Sequence, residues 1–193
     1  MSQFFETIKV QNGVIYNLPF HQQRLNYTIE KNFSQKSDIS LKDFIYPPKT
    51  NLLYRCKVIY KHEIKSVDFY PYTPKIIKSF KIIHSDVKYP FKSTDRSSID
   101  ELFSKRDDLD EILIVDKNGF IKDTSIANIA IKKDGLWFTP KNPLLKGTMR
   151  EKFLEDNILI PKEIKLKDIE NIDNFAIMNA MIGFVEIKSP IFR

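Results

Sequence analysis

The sequence predicts an α+β protein in two lobes. Three observations lead there. Short β-rich runs meet at Asn-Gly and Asp-Gly turn signals along the chain, helical spacing is confined to a few segments, and closely spaced prolines between Pro71 and Lys75 mark a stiff linker. The expected division is a small N-terminal α+β domain over residues 1–73 and a larger C-terminal α+β domain over 74–193.

The opening FFETIKVQNGVIYNL is two β-rich runs around Asn12-Gly13, residues that tolerate the positive φ of a tight turn, so a hairpin is expected. In PFHQQRLNYTIEKNF, Phe20, Leu25, Ile29 and Phe33 recur at helical spacing, and Pro19 suits a first helical turn. NLLYRCKVIY and IKSVDFYPY flank Lys61-His62-Glu63 as a second hairpin. The second lobe opens with the strand IIKSFKII and a helical SSIDELFSKRDDL. Three strand signals follow: EILIVD, GFIKD after Lys117-Asn118-Gly119, and IANIAIKK ending at Asp134-Gly135, with LWFTP as a short strand. PLLKGTMREKFLEDN reads as a glycine-bearing loop entering a helix, with Thr148 as N-cap and Glu151 completing a capping box. IPKEIKL and NFAIMNAMIGFVEI close the chain as apolar runs.

The 193 residues are 42% hydrophobic, enough for a sizeable core. The 31 Lys and Arg against 25 Asp and Glu leave +6, but the basic residues are scattered, so a nucleic-acid partner is not expected. Cys56, the only cysteine, sits in a strand run and reads as a buried thiol that forms no internal disulfide. The first ten residues hold no apolar h-region and nothing approaches ~18 consecutive apolar residues, so a soluble, cytoplasmic protein away from membranes is expected.

There is no Walker loop, no GxGxxG, no cysteine pair and no HExxH, which leaves metal hydrolysis and dinucleotide chemistry unsupported. Four patterns remain. PFHQQRL puts Arg24 three residues after His21 on a helix. FKSTDR places Lys92 after Tyr89, Pro90 and Phe91, and an amine desolvated among aromatic groups has a lowered pKa and the makings of a carbonyl nucleophile. VDKNGFIKDTSIANI carries Asp123 on the second strand of a hairpin, either a solubility device or an anion aimed at a cationic ring nitrogen. In LLKGTMR, Gly147 admits close backbone approach and the helix after it offers unpaired N–H groups, which is a phosphate site in kind or plain capping.

Together and in this order the four patterns resemble the fold-type IV pyridoxal-phosphate enzymes, the class IV aminotransferases and their lyase relatives. The resemblance runs from FFETIKV to NAMIG and implies a fold like that of D-amino-acid aminotransferase, with a shortened N-terminal lobe because the family's strand and turn before the E-T segment have no match here. It implies pyridoxal 5′-phosphate as cofactor, Lys92 as the Schiff-base lysine carried by the C-terminal domain, Arg24 of the H-x-x-R-L motif on the phosphate, and Asp123 on the pyridine nitrogen. Asp123 stands where the family carries Glu, a shorter reach. Against the family's L-x-G-[IV]-T-R, the order Gly147, Thr148, Met149, Arg150 keeps the backbone nest and moves the hydroxyl by one position. Gly147, Thr148 and Met149 are therefore the expected phosphate contacts, the backbone donors more firmly than the Thr148 side chain.

KSTDR, similar to the lyase form K-x-x-N-R, and the NAMI run tip the resemblance towards 4-amino-4-deoxychorismate lyase, an enzyme of folate biosynthesis. That reading makes Lys92 the catalytic base, Thr7 a proton relay, and Arg96 or Lys57 the contact for a substrate carboxylate. It also implies a small amino substrate and a homodimer. The alternatives are a transferase reading, a branched-chain or D-amino-acid aminotransferase, and a basic binding module that keeps the fold without the cofactor.

Overall fold

The structure, a computed structural model, describes residues 3–193. Its first compact unit runs to Pro74 and takes in Phe91–Asp95; its second comprises Lys75–Pro90 and Arg96–Arg193.

In the first unit β1 (Phe4–Gln11) alternates strictly, burying Phe4, Glu6, Ile8 and Val10. Asn12 and Gly13 take φ of 53° and 73° and turn the chain into β2 (Val14–Ile15), the hairpin expected from Asn-Gly. Helix α1 (Leu18–Phe33) has proline in its first turn and buries His21, Leu25, Thr28 and Ile29, one face at i, i+4, i+7 and i+8. β3 (Leu53–Tyr60) and β4 (Ile64–Pro71) complete an antiparallel sheet of order β2-β1-β3-β4. Leu25, Ile29, Leu41, Val58 and Tyr60 close the core over β1. Cys56 is buried among them, and loss of hydration pushes its thiol up to about 12, which makes it inert.

Phe91–Asp95 pairs with the start of β1: Phe5 N–H donates to the Lys92 carbonyl at 2.9 Å and Thr94 N–H to that of Gln3 at 2.9 Å. The Phe91 ring packs edge-on against Phe4 at 6.1 Å. The expected division put Lys92 in the second lobe; backbone pairing and an aromatic anchor place its segment with the first unit.

In the second unit β5 (Ser79–His84) leads to α2 (Ser97–Ser104) and β6 (Glu111–Val115). β5 and β6 are parallel, and β6 is buried along its whole length, as strands covered on both faces are. β7 (Asn128–Lys133), β8 (Leu136–Pro140), α3 (Thr148–Glu155), β9 (Leu159–Lys162), β10 (Asn174–Asn179), β11 (Gly183–Ile187) and β12 (Ile191–Phe192) complete the unit. The sheet orders are β11-β10-β7-β8-β9 and β12-β5-β6. Phe80, Leu113, Ile129, Phe175 and Ile177 form the main core.

Three local expectations are corrected. The helix read over SSIDELFSKRDDL stops at Ser104, because Asp107 turns left-handed at φ 56° and acids are unfavourable at the negative end of the helix dipole. GFIKD is an extended stretch holding isolated bridges, Val115 to Ile121 and Asp123 to Asn128, instead of a full strand. Gly147, not Thr148, is the N-cap of α3, so the Thr148–Glu151 capping box does not form and Thr148 is a buried first-turn residue.

Candidate active site

In the first unit the alternation of β1 puts Glu6 on the buried face beneath α1, where a charge needs partners. Arg24 Nε donates to Glu6 Oε1 at 2.9 Å and Nη2 to Oε2 at 2.5 Å, a bidentate pair. His21, one turn earlier on α1, reaches Glu6 Oε2 through Nδ1 at 2.6 Å. Burial alone would raise the Glu6 pKa, but the Arg24 charge and the His21 bond override it and hold the carboxyl well below its usual range. Burial dominates at His21 and lowers its pKa, so a neutral imidazole donates from Nδ1 to an anionic Glu6.

The opposite face of β1 carries Phe5 and Thr7, and the Lys92 ammonium lies 4.6 Å from the Phe5 ring centroid. Lys57, paired across the sheet with Thr7, sits 5.5 Å from the same ring. The aromatic neighbour of Lys92 is thus Phe5 of β1, while Phe91 turns into the core. Lys92, Thr7 and Lys57 share this face of the sheet, and Arg24 is held by Glu6 from the other.

In the second unit Asp123 is 4% exposed. Asn128 Nδ2 donates to its Oδ1 at 2.7 Å and the Leu145 N–H to its Oδ2 at 3.0 Å. Burial pushes its pKa up to about 7, against the pull of those bonds and of the Arg150 charge. The same Asn128 nitrogen donates to the Leu145 carbonyl at 2.8 Å, which ties the acid to the loop entering α3. Gly147 and Thr148 stand at the N-terminus of that helix, and Met149 packs its side chain into the Ala130–Met178 cluster, leaving its backbone N–H in the first turn. The structure therefore brings Asp123, Gly147, Thr148 and Met149 to one loop and helix end.

Arg96, expected to meet a substrate carboxylate, donates from Nη2 to the Ser125 carbonyl at 3.0 Å and pairs through Nε with Asp100 at 3.3 Å. Ser125 in turn donates to the buried Glu111 from its hydroxyl at 2.9 Å. Arg96 and Glu111 thus brace the backbone just after Asp123.

Sequence reasoning passed over Glu6, His21, Asn128, Glu111 and Arg150 as site residues. Glu6 and Glu111 had a readable signal, a charge at a position whose strand neighbours are apolar; Asn128 stands at a fixed offset from Asp123. Arg150, 3% exposed and donating to the Pro140 carbonyl at 2.9 Å, stands at the closing Arg of the L-x-G-[IV]-T-R pattern, which was its signal. Among the described residues no cluster of His, Cys, Asp and Glu could hold a metal ion, and no helix is long and apolar enough to cross a membrane.

The family model described as amino-transferase class IV matches residues 69–189. An uncharacterized protein of Haemophilus influenzae is 36% identical over 189 residues, covering 95% of this chain and 100% of the relative. A structure from Haemophilus somnus 129PT, described as a "putative 4-amino-4-deoxychorismate lyase", superposes with a TM-score of 0.87 at 31% identity, over 95% of this chain and 98% of that one. A "hypothetical aminotransferase" from Mycobacterium tuberculosis, in a PLP-bound form, gives a TM-score of 0.82 at 14% identity over 98% of this chain and 81% of that one, a likeness of fold.

Proposed function

The chain belongs to the class IV amino-transferase family, and from that premise we propose that it is a pyridoxal-phosphate-dependent lyase, converting 4-amino-4-deoxychorismate to 4-aminobenzoate and pyruvate in folate biosynthesis. The fold is the fold-type IV arrangement expected from the sequence, and the cofactor is pyridoxal 5′-phosphate.

The residues present suit that cofactor, and the observation that carries the reading is Asp123. A buried acid pushed up to about 7 is one that a cation placed against it would ionise, and a protonated pyridine nitrogen is such a cation. The N–H groups at Gly147, Thr148 and Met149, at a helix N-terminus, suit a phosphate. Arg24 supplies a cation whose guanidinium Glu6 orients. Lys92 supplies the amine for covalent attachment.

When bound, the cofactor supplies an electron sink that drains charge from the carbon bearing the substrate amine. Lys92 Nζ then takes the proton from that carbon as general base. The bond to the enolpyruvyl oxygen breaks, a proton is returned to the methylene carbon, and pyruvate leaves as the six-membered ring becomes aromatic. Thr7, on the same strand face as Phe5, is the residue proposed to relay that proton through its hydroxyl. Of the two cations expected at a substrate carboxylate, Lys57 shares the Phe5 ring with Lys92, whereas Arg96 is engaged by Ser125 and Asp100, which favours Lys57. The acting molecule is proposed to be a homodimer.

The purified protein is expected to be yellow, its visible band to vanish on borohydride reduction, and Lys92→Ala to lack the band. Pyruvate release from aminodeoxychorismate without a keto-acid acceptor supports the lyase. An absolute need for an acceptor transfers the reading to an aminotransferase, and a wild-type protein that takes up no pyridoxal phosphate sinks both.

A further inference from the structure

Asn128 opens β7 with its side chain 5% exposed, and both hydrogens of its amide nitrogen are used, one on Asp123 Oδ1 at 2.7 Å and one on the Leu145 carbonyl at 2.8 Å. Leu145 N–H returns to Asp123 Oδ2 at 3.0 Å. Three bonds thus close a ring through Asn128, Asp123 and Leu145, and Leu145 cannot shift without breaking two of them.

The other side of the Asn128 amide faces Gly147. A Cβ built at 147 would lie 2.0 Å from Asn128 Oδ1 and 3.2 Å from its Cγ. Gly147 has φ −74° and ψ 141°, a conformation open to any residue, so backbone freedom does not explain the glycine. The space is taken by Asn128.

We infer that Asn128 is the positioning residue of this site: its amide clamps the Asp123 carboxylate to the loop before α3, and its bulk makes glycine obligatory at position 147. The inference deepens the proposed function, since its value for catalysis rests on Asp123 and the Gly147 loop meeting the cofactor. By donating to Asp123, Asn128 favours the ionised acid against the burial that opposes it, and by gripping Leu145 it sets how far the loop stands from that acid. Arg150 of α3 is the charged group that acts on Asp123 from the neighbouring helix, and it works in the same direction.

Two variants separate donor from bulk. Asn128→Asp keeps the shape and replaces the donor; Asn128→Ala removes both. Each is made alone and with Gly147→Ala, and three readouts are taken: urea unfolding without cofactor, the carboxyl ¹³C titration of Asp123 without cofactor (assigned by its absence in Asp123→Asn), and pyridoxal-phosphate uptake by absorbance. Gly147→Ala is expected to lower the unfolding midpoint in the wild-type and Asn128→Asp backgrounds and to lose most of its cost in Asn128→Ala. The Asp123 titration is expected to move up by about one pH unit in Asn128→Ala and further in Asn128→Asp, where a second carboxyl faces it and the two titrate as a pair, and cofactor affinity to fall about tenfold in each. An asparagine that only fills space would change the midpoint and leave the titration where it was.

An equal cost of Gly147→Ala in all backgrounds, or an unmoved Asp123 titration, overturns the inference. If Asn128→Asp does not fold, Asn128→Ser is measured in its place. Failure of the wild-type protein to take up pyridoxal phosphate would defeat the proposed function, while the two cofactor-free readouts would still decide the clamp.

Discussion

On β1, Glu6 stands where the alternation calls for an apolar side chain, and three hydrogen bonds from His21 and Arg24 hold it there. Removing one partner of a buried pair strands the other, so Arg24→Ala should cost about 3–5 kcal/mol in urea unfolding, and Arg24→Ala with Glu6→Gln less than the sum of the two. The pH dependence divides by the sign of each shift. Glu6 is held below its ordinary value of 4.5, so its contribution is complete above that pH and fades as acid is added. His21 is lowered from 6.5: the unfolded chain takes a proton there that the folded one refuses, and stability declines as the pH drops below 6.5. Asp123 runs the other way. Its folded form keeps a proton from 3.8 up to about 7 while the unfolded form has lost it, so burial of this acid costs more as pH rises through that window and levels off above it. Cofactor-free Asp123→Asn should therefore gain stability relative to wild type between pH 5 and pH 8, and unfolding midpoints at the two values would test it.

Among the elements, the one that matters most for the chemistry is barely an element. Phe91–Asp95 has no regular structure of its own, yet backbone bonds to Gln3 and to Phe5 of β1, with the Phe91 ring, hold Lys92 beside Phe5. Thr94→Pro removes the donor to Gln3 and is expected to cut pyridoxal-phosphate uptake about tenfold with far-UV circular dichroism unchanged. The hairpins were legible because their signals are local: Asn12-Gly13 and Asp134-Gly135 show the positive φ values their turns demand. The crowding at Gly147 was not, because it comes from a residue nineteen positions earlier, Asn128, whose amide occupies the place of a Cβ.

For the whole molecule, the first unit carries Arg24, Lys92, Thr7 and Lys57, and the second carries Asp123 and the Gly147 loop. The proposed homodimer predicts a light-scattering mass twice that of the chain, and a monomeric mass at micromolar concentration would count against it. If the cofactor is bound as proposed, excess pyridoxal phosphate should raise the wild-type unfolding temperature, an effect of about 2.7 kcal/mol at a hundredfold excess over its dissociation constant, and Lys92→Ala should lose most of that rise.

The α+β class, both N-terminal hairpins, helix α1 and the order Arg24, Lys92, Asp123, Gly147 along the chain were legible in the amino acids alone, because turn chemistry, periodicity and motif order are written in near neighbours. Folding alone brings Lys92 to the first unit, sets Glu6 and His21 beside Arg24, and puts the Asn128 amide against both the Asp123 carboxylate and the space a Cβ at 147 would take. Those outcomes depend on burial and on contacts between distant positions, and a desolvated carboxylate or a crowded Cβ exists only once the chain has brought its partners together.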